Sequence, residues 1–134
     1  MSHRDPHNAD DPFRANRTWA RMFADALRGV GVAIAREINF AVHGTIAAAV
    51  IGVGAYVGLS LERWCLLVLC AALVFTAEML NTAIEHLARA VTRESHPEVR
   101  DALDVASGAV LVAATGAVVI GLIVLGQPLL ALLR

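Results

Sequence analysis

Two stretches of 21 residues, 41–61 and 105–125, contain no Asp, Glu, Lys or Arg. At about 1.5 Å of helix rise per residue, each spans roughly 30 Å, the thickness of a bilayer's hydrocarbon core. These runs predict an all-α integral membrane protein. The rest of the composition agrees: 57% hydrophobic, 17% charged and a mean hydropathy of +0.63. So low a charge content argues against a disordered chain or a basic nucleic-acid binder. At 134 residues the chain allows one domain.

Between the two runs lies a third, and its length is the problem it poses. Residues 64–77, WCLLVLCAALVFTA, number only 14. A helix built on them crosses the membrane only by continuing through Glu78, Asn81 and nearly to Glu85. These three residues stand at i, i+3 and i+7, on one helix face. Charged groups at membrane depth are expensive and require a partner, an ion or a wet cavity. Spans over 41–61, 64–85 and 104–126 are therefore expected, with the middle one carrying the chemistry.

The remaining segments are assigned by pattern. Residues 1–17 are polar, with two Asp-Pro steps, and read as a flexible tail. They hold no apolar h-region, so no signal peptide is expected. Residues 18–36 place Trp19, Met22, Phe23, Leu27, Val30 and Ile34 at helical spacing, with Arg21, Asp25 and Arg28 opposite. An amphipathic helix lying on the membrane surface is expected there, with Thr18 as its N-cap. Residues 18–134 then form one membrane domain. Gly54 and Gly58 form a GxxxG pattern, which favours close helix packing. Ser95 and Glu98 suggest a capping box around Pro97, and Gln127-Pro128 is expected to end the last span. Cys65 and Cys70, five residues apart, diverge by roughly 140° on a helix, so no disulfide is expected and both read as buried small hydrophobes.

Every basic residue is arginine; there is no lysine. Six arginines precede the first span, three lie between the second and third, and Arg63 alone lies between the first and second. The positive-inside rule then puts the N-terminus in the cytoplasm. Glu37, Glu78, Asn81, Glu85 and Asp104 gather at that leaflet. Carboxylates with a neutral amide suit Mg²⁺ carrying a nucleotide phosphate. A carboxylate in an apolar surround suits a general base acting on an alcohol. Together they suit phosphoryl transfer from ATP to a lipid hydroxyl. No P-loop or soluble-kinase catalytic loop is present. A small proton-coupled transport subunit explains the same carboxylates, and the chemistry alone leaves both readings open.

The motifs resemble a known family. Glu37-Ile38-Asn39-Phe40 with His43, then Glu78-x-Leu80-Asn81-Thr82-Ala83-Ile84-Glu85, then His96-Pro97, then Asp104-x-Ala106-Ser107-Gly108-Ala109 look like the bacterial diacylglycerol kinase and undecaprenol kinase family. The resemblance covers about residues 22–125. It implies a surface helix and three transmembrane helices, a homotrimer in the inner membrane with sites shared between subunits, and ATP with Mg²⁺ as donor. It further implies that Glu78 is the general base and that Glu37 and Glu85 hold Mg²⁺. Asn81 and Asp104 would position substrate and phosphate, with Arg17 or Arg28 near the nucleotide. His43, where diacylglycerol kinases carry an acidic residue, resembles the undecaprenol branch.

Two positions depart from the family pattern. Leu103 stands where the family usually has Lys, and Arg89 where it usually has Asp. Loss of catalysis, leaving a membrane scaffold, is one reading. Relocation of the cation is another, with Arg89, one turn from Glu85, presenting its guanidinium to the phosphates. An ordinary snorkelling role for Arg89 is a third. His43 and His96 read as a packing histidine and a turn residue. Ser107, Gly108, Thr115 and Gly116 read as small residues that let helices approach.

Overall fold

A computed structural model describes residues 18–36 and 38–132. The described residues form four α-helices: α1 (Trp19–Arg36), α2 (Ile38–Tyr56), α3 (Leu61–Val91) and α4 (Pro97–Leu132). The chain divides into two units, Met1–Val32 and Ala33–Arg134.

In the first unit, α1 begins where its cap directs. Thr18 Oγ1 accepts from the Arg21 backbone N–H at 3.4 Å, and the Thr18 carbonyl accepts from Met22 N at 3.1 Å. These bonds satisfy amides that a helix start leaves unpaired. Trp19, Phe23 and Leu27 are exposed and fall on one stripe, the apolar face that the spacing predicts.

In the second unit three helices are long and apolar enough to cross a membrane. The middle one behaves as its short apolar run requires. α3 is a single helix of 31 residues that carries Glu78, Asn81 and Glu85 without interruption. Its main neighbour is α4; α2 packs on α3 and only lightly on α4. The burial pattern inverts that of a soluble protein. Large apolar side chains such as Leu69, Leu73, Val112 and Leu122 point outward, while Glu78, Asn81 and Thr82 are buried. Lipid is a good solvent for the former and a poor one for the latter. Hydroxyls within the spans turn back on their own helix. Thr45, Ser107 and Thr115 donate to the carbonyls of Ala41, Leu103 and Leu111 at 2.7–3.0 Å. No buried side-chain nitrogen or oxygen among the described residues lacks a partner.

Several local expectations are revised. Gly54 and Gly58 do not act as a pair on one helix face. α2 ends at Tyr56, and Gly58 adopts φ +66°, the left-handed region that favours glycine. Leu59 N bonds to Gly54 O at 3.2 Å and Gly58 N to Ala55 O at 3.4 Å, which is a Schellman termination. Gly54 alone serves close approach: a Cβ there would lie 3.0 Å from both the Leu59 side chain and the Trp64 ring.

At the start of α4 the capping carbonyl belongs to His96, which accepts from Arg100 N at 3.0 Å. Pro97 is then the first helical residue, where its missing N–H is harmless, and no hydrogen bond joins Ser95 to Glu98. Pro128 does not stop α4, which continues to Leu132. Near a helix end the proline removes a single backbone bond. The neighbouring Gln127 is held by Arg63 Nη2, which donates to its Oε1 at 2.8 Å. Both cysteines are free, but Cys65 is exposed and Cys70 half-buried, not both buried.

Candidate active site

The polar residues of α3 lie toward the end of the second unit where α2 starts, α3 ends and α4 begins. Glu78 stands about 26 Å along the axis from Leu61 and about 20 Å from Val91. A hydrocarbon core of roughly 30 Å measured from Leu61 therefore closes just past Glu78, near Asn81. Glu78 sits inside the apolar layer, close to its boundary.

Its side chain is 3% exposed, and His43 Nε2 lies 3.0 Å from its Oε1. An isolated buried carboxylate would be strongly destabilising. The imidazole supplies the compensating charge-assisted or neutral hydrogen bond, and it comes from another helix, α2. Phe40 and Phe75, with ring centroids 4.9 Å apart, pack α2 against α3 one turn away from this pair. His43 also lines an apolar cavity of about 490 Å³ between α2, α3 and α4, whose walls include Ala47, Leu67, Val74, Ala114 and Gly121.

One and two turns further along α3 a second polar group forms. Asn81 Nδ2 donates to Glu85 Oε1 at 2.9 Å. Arg89 Nη2 lies 3.3 Å from Glu85 Oε2, and its Nε donates to the Glu85 carbonyl at 3.2 Å. The i, i+4 spacing of Asn81, Glu85 and Arg89 makes these bonds local to one face. Across to α4, Ser107 Oγ stands 3.5 Å from Asn81 Oδ1 while donating to Leu103 O at 3.0 Å. The exposure is graded: Asn81 is buried, the Glu85 side chain is 36% exposed and that of Arg89 64%. A partly exposed carboxylate paired with a largely exposed arginine is thus set two turns from a sealed carboxylate.

Beyond Arg89 the α3–α4 connection borders an open cleft of about 480 Å³. Arg89, Arg93, Glu94, His96, Arg100 and Leu103 are among the residues that line it. Leu103 is therefore not surrounded by apolar groups alone: three guanidiniums share its cleft.

Not every residue singled out in the sequence joins these groups. Asp104 is exposed and has no hydrogen bond or ion pair among the described residues. Arg28 is exposed on α1 in the other unit. Glu37 and Arg17 lie outside the described residues. Conversely, two contributors were not legible as such. His43 is read as packing, yet it holds the buried carboxylate; the signal was its position as the one histidine within an otherwise apolar helix. Arg93 follows Arg89 by four residues, while Arg100, on α4, joins their cleft only when α3 and α4 fold against each other.

Three apolar spans enclosing a sealed carboxylate, with a partly exposed carboxylate and arginines beyond it, define an integral membrane protein with a polar cluster at one end. The chain belongs to the prokaryotic diacylglycerol kinase family, whose profile matches residues 24–125, and it is a lipid kinase. An undecaprenol kinase of Bacillus subtilis is 38% identical over 104 residues, covering 78% of this chain and 85% of that protein. A diacylglycerol kinase of Synechocystis is 38% identical over 112 residues, covering 83% of this chain and 64% of that relative, just under two thirds of its length.

Proposed function

We propose that this chain transfers the γ-phosphoryl group of ATP to the hydroxyl of a membrane lipid alcohol, diacylglycerol or undecaprenol, at the cytoplasmic face of the bacterial inner membrane. The observation that carries this reading is Glu78 itself, buried and hydrogen-bonded to His43; by helix length it lies about one turn inside the end of a layer of roughly 30 Å counted from Leu61. A lipid alcohol presents its hydroxyl at that depth, and a soluble substrate does not. Both relatives' names, undecaprenol kinase and diacylglycerol kinase, support the acceptor class. The arginine asymmetry supports the orientation.

In this reading Glu78 accepts the proton of the lipid hydroxyl as its oxygen bonds to the γ-phosphorus. The bond from the γ-phosphorus to the bridging oxygen breaks, and ADP leaves. Because Glu78 is buried, it is screened from bulk water, which favours transfer over hydrolysis of ATP. Asn81 fixes the Glu85 carboxylate through its amide. Mg²⁺ is commonly held by one or two carboxylates together with substrate phosphates and water. Glu85, partly exposed and already oriented, fits one such ligand, and Glu37 is proposed as the other. The ion would neutralise charge on the transferring phosphates.

Arg89 then exchanges Glu85 for phosphate oxygens, with Arg93 and Arg100 lining the same cleft. Guanidiniums in fork geometry suit phosphates well. This grouping favours a retained cation over loss of catalysis at Leu103. Asp104, exposed on α4, is assigned to a neighbouring copy's site in a homotrimer, and α1 to the membrane surface.

The test is transfer of label from γ-labelled ATP in the presence of Mg²⁺ to diacylglycerol and to undecaprenol, assayed in parallel. Labelled lipid from one or both acceptors is expected. No lipid label with either acceptor at saturating Mg²⁺ would overturn the reading.

A further inference from the structure

The buried base leaves a proton to be disposed of at every turnover. Glu78 must be ionised again before the next lipid hydroxyl is activated, yet its side chain is 3% exposed. Among the described residues its one polar partner is His43, at 3.0 Å. Of the two, the His43 side chain is the more open, at 22% exposed. Further along its own helix, Asn81 and Glu85 are bonded to each other, and Asn81 offers no titratable group.

We propose that His43 is the proton outlet of Glu78, a positioning residue that holds the base during transfer and accepts its proton afterwards. This inference rests on the reading of Glu78 as general base. The balance is simple. During transfer His43 Nε2–H holds the ionised Glu78 through Oε1, and the lipid O–H proton passes to Glu78 Oε2 as the new P–O bond forms. The imidazole then shifts to its Nδ1–H tautomer, the carboxyl group turns its proton onto Nε2, and the imidazolium releases its Nδ1 proton to solvent. That restores Nε2–H on the carboxylate, and no oxidant or further co-reactant is needed. A histidine does this at neutral pH because its two ring nitrogens accept and donate on opposite sides. An arginine or lysine at this position would hold the carboxylate but would pass no proton.

The experiment separates holding from passing. His43→Gln keeps an amide N–H near the place of Nε2 and so keeps the hydrogen bond to Glu78, but it relays no proton. It is compared with His43→Ala, with and without added imidazole, and with Glu78→Gln as the reference for the base itself. Detergent melting curves establish that each variant remains folded. The expected result is a fall in kcat of about 10- to 100-fold for His43→Gln with KM for ATP unchanged. Imidazole is expected to restore kcat to His43→Ala and to leave Glu78→Gln inactive.

Wild-type kcat in His43→Gln, or a His43→Ala defect that imidazole leaves untouched, would overturn the relay. In that case the proton leaves with the phosphorylated product. If Glu78→Gln itself keeps full activity, the failure lies in the base assignment beneath it.

Discussion

The two ends of the three-helix unit are built from the same helices and solve opposite problems. At one end α2 turns into α3 through a Schellman termination, with glycine at 58 in the left-handed region and Gly54 pressed against Trp64. A long-range polar bond, Arg63 to Gln127, ties the start of α3 to the last turns of α4. Each of these features shortens or closes the structure. At the other end α3 runs beyond its apolar segment, and its polar residues are bonded across to α2 and approach α4. Burying Glu78, Asn81 and Thr82 there gives up apolar packing that leucines would supply. A polar cluster inside a membrane unit is costly, and its concentration at one end is what the proposed function assigns to catalysis.

The comparison can be broken by substitutions at either end. The largest effect is expected from Glu78→Gln: a fall in kcat of about 10² to 10⁴, the range for loss of a positioned general base. The melting temperature in detergent should change little, because the amide still pairs with His43. Arg89→Ala is expected to raise KM for ATP about tenfold, worth about 1.4 kcal/mol, with a smaller effect on kcat. Unchanged KM would return Arg89 to an interfacial anchor.

At the closing end the order reverses. Gly54→Val is expected to lower stability by about 1–3 kcal/mol through overpacking against Trp64 and Leu59, read as a lower melting temperature with kcat per folded molecule preserved. Arg63→Ala should be the mildest, costing at most about 1 kcal/mol for one exposed hydrogen bond. A loss of turnover from Gly54→Val in protein that remains folded would show that the two ends are not separable.

Much of this division is visible in the sequence, for physical reasons that differ by residue. The continuity of α3 follows from arithmetic, because 14 apolar residues cannot cross a bilayer. The shared face of Glu78, Asn81 and Glu85 follows from helical period. Gly58 shows the limit: GxxxG describes spacing, and only the backbone reveals that the helix has already ended. Pro128 misleads for a similar reason, since a proline near a helix end removes too little to stop it. The role of His43 is not legible locally because it depends on a pairing 35 residues away in sequence, a distance at which local pattern carries no information. Arg100 is hidden likewise, since the hairpin brings it to the cleft of Arg89 and Arg93.

The central claim is that the polar end moves a phosphoryl group onto a lipid oxygen through Glu78. The most direct measurement is the appearance of label from γ-labelled ATP in extracted lipid, made with the folded wild-type protein and with Glu78→Gln side by side. The account predicts labelled lipid from the wild type and essentially none from the variant. Equal labelling by both proteins would contradict it.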